Sequence, residues 1–317
     1  MTAENTPKFY SKILLFGEYS VIHNSMALTV PFDDYNGKLA FEPLEGDDIE
    51  IVKSSNKHLY NFAAYIRNLI EEKKIFIDFA IDNFENDIHN GMYFHSTIPQ
   101  GFGIGSSGAL VAAIYDKYTR DKVNLDQIPN KEQIAELKRL FSLLESYFHG
   151  TSSGVDPLIC YMNLPLLIKG KDNIEPVKVA LHNHGKGAIF LIDTGIPRKS
   201  EPLVQYYMGK LEEHTFREFV DKQLKPFANN CIQAFLEGDN ETLFAYMKKL
   251  SKFQLEHFKP MIPKLFNSYW EKGIETGDYY LKLCGAGGGG YLLGFTKNFE
   301  KTKRQLKGQK LELLCSL

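Results

Sequence analysis

The alternation of apolar and polar positions predicts a chain of mixed strands and helices. An extended, largely buried segment is expected from Phe9 to Ile22. Two further apolar runs, Ala27–Val30 and Lys38–Phe41, flank a turn-like segment at Asp33–Gly37. Because two extended runs joined by a turn form a hairpin, we expect the chain to open with an antiparallel sheet.

Helical and strand periodicities follow one another in the next part of the chain. His58–Lys73 has helical spacing, whereas Ile75–Ile81 alternates apolar and polar residues as a half-buried strand does. Lys131–Phe148 carries one apolar stripe and is predicted to be a helix. Glu145 falls beside that stripe, where its carboxylate either faces a cleft or is an ordinary surface group.

Shorter patterns predict the remaining elements and the division of the chain. Strands are expected at Gly91–Thr97, Leu164–Ile168, Val177–Leu181, Ala188–Ile192, Tyr279–Cys284, Gly290–Phe295 and Lys310–Cys315, and helices at Ala109–Tyr118, within Glu201–Gly273 and near Asn298–Leu306. At 317 residues the chain is long for one core, so two α+β domains are expected. The segment His182–Gly187 predicts their boundary, giving domains 1–185 and 186–317.

Composition narrows the class of protein. Hydrophobic content of 44% and charged content of 24% are typical of a soluble globular protein. The net charge of −2 gives no electrostatic reason to expect nucleic acid or an anionic membrane as a partner. The four cysteines lie far apart, and Met1–Lys8 lacks the apolar region of a signal peptide. A cytoplasmic protein without a zinc site or a disulfide framework is therefore expected.

A glycine-rich loop directly before a helix is the strongest chemical signal. Pro99–Leu110 contains four glycines and two serines ahead of the apolar run that begins at Ala109. Glycines allow backbone N–H groups to turn toward an anion, and a helix N-terminus attracts phosphate, so the loop is interpreted as a phosphate cradle. A plain tight turn is the alternative. A dinucleotide fingerprint at Gly103, Gly105 and Gly108 is disfavoured, because no strand ending in an acidic residue follows the helix.

A second glycine-rich stretch, Leu281–Phe295, places five glycines between two apolar runs. A hairpin needs one or two, so another backbone or a ligand is expected to approach closely there. The chain has no Gly-x-x-x-x-Gly-Lys-Ser/Thr motif, so any ATP site would lack the P-loop architecture.

Three motifs in this order resemble the GHMP kinase superfamily, and they are Lys12–His23, Pro99–Ala109 and Cys284–Gly290. The resemblance implies a two-domain fold, with an N-terminal domain like the second domain of ribosomal protein S5 and a ferredoxin-like C-terminal domain. It further implies an ATP-dependent kinase that phosphorylates an alcohol, with ATP and the acceptor in the cleft between the domains.

Within the superfamily, two segments resemble the mevalonate kinases. Glu145 stands four residues before His149, and Asp156 follows in the family's pattern of a magnesium-binding glutamate and a catalytic aspartate. Asp193–Ser200 resembles the segment that carries Pro-Arg-x-Thr, with serine in place of threonine. The chain departs from the mevalonate kinase pattern at two positions. Tyr19 stands in place of the histidine of Gly-Glu-His, as in phosphomevalonate kinases. Gly108 stands in place of an alanine in the glycine-rich loop and is expected to widen that loop.

The resemblance implies a role for each matched residue. Asp156 would accept the proton of the substrate hydroxyl, and Lys12 would stabilise the developing charge. Mg²⁺ would be held by Ser107 and Glu145. The ATP-binding set comprises Pro99, Gly101, Gly103, Gly105, Ser106, Ser107 and Gly108. The substrate-binding set comprises Glu18, Tyr19, His23, Arg198, Ser200, Gly285, Ala286 and Gly287, with a structural role as the alternative for His23.

The acceptor implied by these motifs is the primary hydroxyl of mevalonate. Phosphomevalonate carries a phosphate besides its carboxylate and would require more cationic groups than Lys12, Arg198 and Lys199 provide. Phosphomevalonate or another alcohol remains the alternative acceptor. Two alternatives to a kinase also remain, an NAD(P)-binding oxidoreductase and a protein that binds nucleotide without catalysis. The expected partner is a small-molecule substrate, and a homodimer is left open.

Overall fold

The computed structural model describes residues 6–41, 48–170, 173–179, 185–198 and 200–317, and the chain forms two compact units. Unit 1 comprises Met1–Lys12, Pro31–Ile98 and Ile104–Leu164, and unit 2 comprises Ile13–Val30, Pro99–Gly103 and Pro165–Leu317. The units differ from the predicted domains because three stretches of the first predicted domain belong to unit 2, namely Ile13–Val30, Pro99–Gly103 and residues 165–185. The domain division between residues 185 and 186 stays a prediction.

The first sheet, in the described part of the chain, has five strands. Four of them follow the order β1-β2-β4-β5, and the fifth, β3, pairs with β2. The strands are β1 (Phe9–Phe16), β2 (Ala27–Ala40), β3 (Tyr93–Ser96), β4 (Leu166–Ile168) and β5 (Ile174–Pro176). The pairings of β2 with β3, of β2 with β4 and of β4 with β5 are antiparallel, and Lys38 lies opposite His95 in the first of them. The opening strands lie in a sheet with antiparallel pairings, but the predicted hairpin of Ala27–Val30 with Lys38–Phe41 is wrong, because both runs, up to Ala40, fall on β2.

The turn predicted at Asp33–Gly37 is wrong, because β2 continues through this segment. Gly37 lies opposite Ser96, and a Cβ at Gly37 would lie 2.1 Å from Cζ of Phe94. The glycine therefore makes room for an aromatic ring on the neighbouring strand rather than for a change of chain direction.

Five helices are found among the described residues of unit 1. They are α1 (Asp48–Glu71), α2 (Ile81–His89), α3 (Ser106–Tyr118), α4 (Lys131–His149) and α5 (Val155–Met162). The helix predicted at Lys131–Phe148 is confirmed, and Asn130 and Gln133 form a capping box at its start. The strand predicted at Ile75–Ile81 is wrong: a single bridge pairs Phe79 with Thr119, and α2 then buries Phe84 and Ile88 on one face.

The second sheet lies within unit 2. Its strands are β6 (Ala188–Asp193), β7 (Tyr279–Leu283), β8 (Tyr291–Thr296) and β9 (Lys310–Ser316), in the antiparallel order β7-β8-β6-β9. With helices between β6 and β7 and between β8 and β9, this is the split βαβ order of a ferredoxin-like domain. The predicted strands at Ala188–Ile192, Tyr279–Cys284, Gly290–Phe295 and Lys310–Cys315 are confirmed.

The helices of unit 2 contribute Tyr207 and Trp270, both fully buried, to the core of that unit. They are α6 (Glu201–Lys210), α7 (His214–Phe219), α8 (Lys225–Glu237), α9 (Asn240–His257), α10 (Asn267–Thr276) and α11 (Phe299–Gln305), with a π-helical turn at Val220–Leu224. Where a strand was predicted at Val177–Leu181, residues 177–179 are not strand and residues 180–181 lie outside the described ranges. Within the described ranges no helix is long and apolar enough to cross a membrane.

Candidate functional site

The start of α3 carries the serines of the predicted phosphate cradle. Gly105 precedes the helix with φ of 90°, a left-handed conformation that lets the chain enter α3 abruptly. No side chain caps this end, and Ser106 and Ser107 occupy the first turn. The first-turn N–H groups lack intrahelical acceptors, and the dipole of α3 is positive here. This helix end is therefore suited to an anion.

The absence of a side chain at Gly108 lets α5 approach α3. A Cβ built on Gly108 would lie 2.8 Å from the carbonyl carbon of Asp156 and 2.9 Å from the nitrogen of Pro157. Both atoms belong to the backbone of the first turn of α5, so a larger residue would push that turn away. The expectation that Gly108 widens the loop is not supported, since the glycine brings the two helix N-termini together.

Lys12 and Asp156 form an ion pair within unit 1. The distance from Lys12 Nζ to Asp156 Oδ2 is 2.9 Å, and the lysine side chain is 8% exposed, against 38% for the aspartate. The backbone N–H of Lys12 donates to the carbonyl of Ile104, which anchors β1 to the residue before Gly105. The carboxylate of Asp156 is thus held by a buried cation and still reaches solvent.

Glu145 reaches the same part of unit 1 from α4. Its carboxylate accepts hydrogen bonds from the hydroxyl of Ser107, at 3.0 Å, and from the hydroxyl of Ser152. Burial, reinforced by the negative charge of Asp156, raises the pKa of Glu145 to about 7, although the two serine hydrogen bonds lower it. The side chain is 3% exposed, so the reading of Glu145 as an ordinary surface residue is wrong.

His149 is a member of this cluster that sequence reasoning missed. Its Nε2 lies 3.0 Å from the hydroxyl oxygen of Ser107. Because that hydroxyl donates its proton to Glu145, Nε2 is assigned as the donor to the serine oxygen. The only signal in the sequence was its place four residues after Glu145, one helical turn further along α4.

In unit 2, the guanidinium of Arg198 lies against two glycine-rich segments. Nη1 donates to the carbonyl oxygen of Cys284 at 2.6 Å, and the backbone N–H of Arg198 donates to the carbonyl of Gly101. A Cβ on Gly103 would lie 1.5 Å from Nη2, and one on Gly285 would lie 2.7 Å from it. Neither position could carry a side chain with the arginine in this place.

Tyr19 occupies a strained turn and contacts the second glycine-rich stretch. Its φ of 63° and ψ of −44°, with a hydrogen bond from Ser20 N–H to Glu18 C=O, define the rare γ-turn with positive φ. The hydroxyl donates to the carbonyl of Ala286 at 2.7 Å, and the ring lies 4.6 Å from that of Tyr207. Burial raises the pKa of Tyr19, so the phenol stays protonated. Strain of this kind is common at functional sites.

Glu18 belongs to a buried polar network of unit 2. Its Oε1 lies 2.9 Å from Nζ of Lys282 and accepts a hydrogen bond of 2.6 Å from Nε2 of Gln254. The two side chains of the ion pair are 3% and 0% exposed. Burial raises the pKa of Glu18, and the charge of Lys282 lowers it.

The second glycine-rich stretch is packed against other backbone, as its composition predicted. A Cβ on Gly287 would lie 2.6 Å from the carbonyl oxygen of Met261, and one on Gly290 would lie 2.6 Å from that of Phe102. The close approach of another backbone is confirmed within unit 2. The glycines at these two positions are therefore explained by packing alone.

The predicted site residues fall into two groups. Lys12, Gly105, Ser106, Ser107, Gly108, Glu145 and Asp156 lie in unit 1, and Pro99, Gly101, Gly103, Glu18, Tyr19, His23, Arg198, Ser200, Gly285, Ala286 and Gly287 lie in unit 2. Within unit 2, His23 lies with its ring 5.9 Å from that of Tyr207, and burial lowers its pKa. Ser200 precedes α6 without capping it, and Lys199 lies outside the described residues.

Comparison with known proteins confirms the resemblance to the GHMP kinases. Residues 65–163 match the model of the GHMP kinases N terminal domain. A protein named mevalonate kinase from Thermococcus sibiricus is 26% identical over 309 residues, which cover 88% of this chain and 85% of that protein. The chain is therefore similar to the GHMP kinases over residues 65–163 and to a mevalonate kinase over most of its length.

Solved structures confirm the fold. Mevalonate kinase from L. major, in complex with R-mevalonate, has a TM-score of 0.63 and 16% identity, covering 99% of this chain and 97% of that chain. Phosphomevalonate kinase from Streptococcus pneumoniae, in complex with phosphomevalonate and AMPPNP, has a TM-score of 0.60 and 15% identity, covering 98% of each chain. The predicted two-domain α+β fold of the GHMP kinases is thus confirmed.

Proposed function

We propose, on the premise that residues 65–163 are similar to the GHMP kinases N terminal domain, that this chain transfers the γ-phosphate of ATP to the primary hydroxyl of mevalonate. The observation that supports the proposal most is the cluster at the start of α3 and α5. There the pair Lys12–Asp156 and the pair Ser107–Glu145 lie in one part of unit 1. The similarity to a mevalonate kinase over 88% of the chain supports the choice of acceptor.

The proton of the reacting hydroxyl is accepted by Asp156. A carboxylate within hydrogen-bond reach of an alcohol acts as a general base, and such bases contribute roughly 10²- to 10⁴-fold. Lys12, with its ammonium group 2.9 Å from the carboxylate, stabilises the negative charge that develops on the alcohol oxygen. The exposed fraction of Asp156 leaves the carboxylate accessible to an acceptor.

The residues at the start of α3 fit ATP and Mg²⁺. Serine hydroxyl and carboxylate oxygens are ligands of the kind that Mg²⁺ prefers, and Ser107 and Glu145 already lie within 3.0 Å of one another. Among the described residues no group of three His, Cys, Asp or Glu side chains could hold a metal ion. Mg²⁺ is usually bound through one or two carboxylates together with substrate phosphates and water. When bound, the ion neutralises charge on the transferred phosphoryl group.

Arg198 is proposed to bind the carboxylate of the acceptor. Nη1 is engaged with Cys284, but a guanidinium carries five N–H donors in a fixed fork, and a fork of this kind matches a carboxylate. Arg198→Ala is therefore expected to raise KM for mevalonate and to change kcat much less, because ground-state binding is lost. A fall in kcat at an unchanged KM would contradict this assignment.

The acceptor is tested by following ADP release with mevalonate, phosphomevalonate, homoserine and galactose. We expect kcat/KM for mevalonate to exceed that of every other alcohol by at least about tenfold, a difference of roughly 1.4 kcal/mol in transition-state stabilisation. A higher kcat/KM with phosphomevalonate would overturn the choice. Tyr19, which stands where phosphomevalonate kinases have tyrosine, is the observation that favours that second candidate.

A further inference from the structure

We propose that Ser152 is a positioning residue that holds the carboxylate of Glu145 with its Oε1 turned toward Ser107. The inference rests on the proposed function, because it takes Ser107 and Glu145 to be the residues that bind Mg²⁺. All three residues belong to unit 1, and Ser152 lies in the connection between α4 and α5 (residues 150–154). Ser152 therefore controls metal binding without touching the metal.

The hydroxyl of Ser152 joins Glu145 to the start of α5. It donates to Oε2 of Glu145 and accepts a hydrogen bond of 3.0 Å from the backbone N–H of Gly154. Gly154 directly precedes α5 and has φ of 75°. Because one hydroxyl both donates and accepts here, its oxygen and its proton are fixed from two sides. The carboxylate is thus tied to the helix that carries Asp156.

The two oxygens of Glu145 have different partners. Oε2 accepts from Ser152, and Oε1 accepts from the hydroxyl of Ser107 at 3.0 Å. Glu145 is buried, whereas Ser107 is half-buried at the uncapped start of α3, so a metal ion would reach the carboxylate from the side of Ser107. A carboxylate oxygen has about two lone-pair sites, so Oε1 keeps one for the ion. The hydrogen bond to Oε2 prevents the carboxylate from turning away from Ser107.

The backbone of Ser152 is fixed by two other serines, both on α4. Its carbonyl accepts from the hydroxyl of Ser142 at 2.6 Å, and its N–H donates to the hydroxyl oxygen of Ser146 at 3.2 Å. A Cβ on Gly154 would lie 2.1 Å from the carbonyl oxygen of Lys138, so the connection packs directly on the backbone of α4. Because neither backbone hydrogen bond uses the side chain of Ser152, removing its hydroxyl should leave the connection in place.

The experiment measures the metal without turnover. Calorimetric titration gives the Kd for AMPPNP in EDTA and in saturating Mg²⁺, and the ratio of the two values is the contribution of the metal to nucleotide binding. Groups that orient a metal ligand typically contribute about 10- to 100-fold to metal affinity, so Ser152→Ala should lower this ratio about tenfold. The Kd in EDTA should stay nearly unchanged. In the ADP-release assay, the Mg²⁺ concentration needed for half-maximal rate should rise.

Matched variants separate positioning from loss of folded protein. The hydroxyl of Ser55, on α1, accepts from the backbone N–H of Phe94 at 3.0 Å, so Ser55→Ala also removes the acceptor of one backbone N–H in unit 1. It should leave the ratio unchanged. Ser152→Thr keeps the hydroxyl and should restore the ratio. If Ser152→Ala does not fold, Ser152→Cys, whose S–H is a weak donor, decides by the same comparison.

A merely structural role would raise both Kd values by the same factor. An unchanged ratio in the folded Ser152 variant would therefore overturn the inference, while mevalonate turnover by the wild-type protein still upheld the proposed function. If the wild-type protein binds AMPPNP more tightly with Mg²⁺ but does not phosphorylate mevalonate, the proposed function is wrong and the ratio still decides the inference. If Mg²⁺ does not tighten AMPPNP binding to the wild-type protein, the metal assignment and the inference are overturned together.

Discussion

Replacing Gly108 by alanine should damage the enzyme, although alanine is the residue that the resembled motif has at this place. A Cβ at Gly108 would lie 2.8 Å from the carbonyl carbon of Asp156, whereas ordinary contact begins at 3.4 Å. The difference, 3.4 minus 2.8, requires the first turn of α5 to move by about 0.6 Å. That turn carries the proposed base.

The expected effect on rate is larger than the effect on stability. Overpacking typically costs about 1–3 kcal/mol, and the change from glycine to alanine within a helix offsets about 0.5–1 kcal/mol of this. A misplacement of about 1 Å can cost on the order of 10² in rate, so a shift of about 0.6 Å should lower kcat roughly tenfold. The free energy of unfolding should fall by only about 1 kcal/mol.

The assay measures kcat by ADP release and stability by thermal unfolding. Gly209 provides the control, because it lies in α6 without a positive φ, and a Cβ added to it would meet nothing within 4 Å. Gly209→Ala should leave kcat unchanged and raise stability by up to about 1 kcal/mol. If Gly108→Ala retains wild-type kcat, the contact between α3 and α5 does not position Asp156, and the reasoning is refuted.

Three further substitutions test single contacts. Asp156→Asn should lower kcat by about 10²- to 10⁴-fold while the Kd for ATP changes little, and a residual kcat above about a tenth would remove Asp156 as the base. Glu145→Gln should raise the Mg²⁺ concentration needed for half-maximal rate, since an amide is a poorer ligand than a carboxylate; an identical metal titration would argue against this role. Tyr19→Phe removes the hydrogen bond to the carbonyl of Ala286, so it should lower the free energy of unfolding by about 1 kcal/mol and raise KM for the acceptor. If both quantities stay unchanged, this hydrogen bond is dispensable.

The sequence predicted those parts of the fold that depend on local periodicity. The helix at Lys131–Phe148 was recognised because its apolar stripe, from Ile134 to Phe148, continues over about four turns. The capping box at Asn130 was found only in the structure. The strand predicted at Ile75–Ile81 failed because a short alternating run does not distinguish a strand from an extended connection. There, α2 begins at the last residue of the run.

Contacts between distant residues account for what the sequence could not show. Lys282 and Gln254 contact Glu18 although they lie 264 and 236 positions away from it in the sequence. The sequence alone also does not distinguish a buried lysine from an exposed one. The tight approach at Gly108 was likewise invisible, because it depends on the backbone of α5. The motifs indicated the catalytic candidates, whereas the packing that holds them appeared only in the structure.

The most direct test of the proposed reaction is a ³¹P NMR spectrum of the wild-type protein incubated with ATP, Mg²⁺ and mevalonate. A new phosphomonoester resonance should appear together with ADP, in equal amounts, and neither should accumulate when mevalonate is omitted. ATP that remains intact with mevalonate, or ADP that forms with inorganic phosphate and no monoester, would contradict the account.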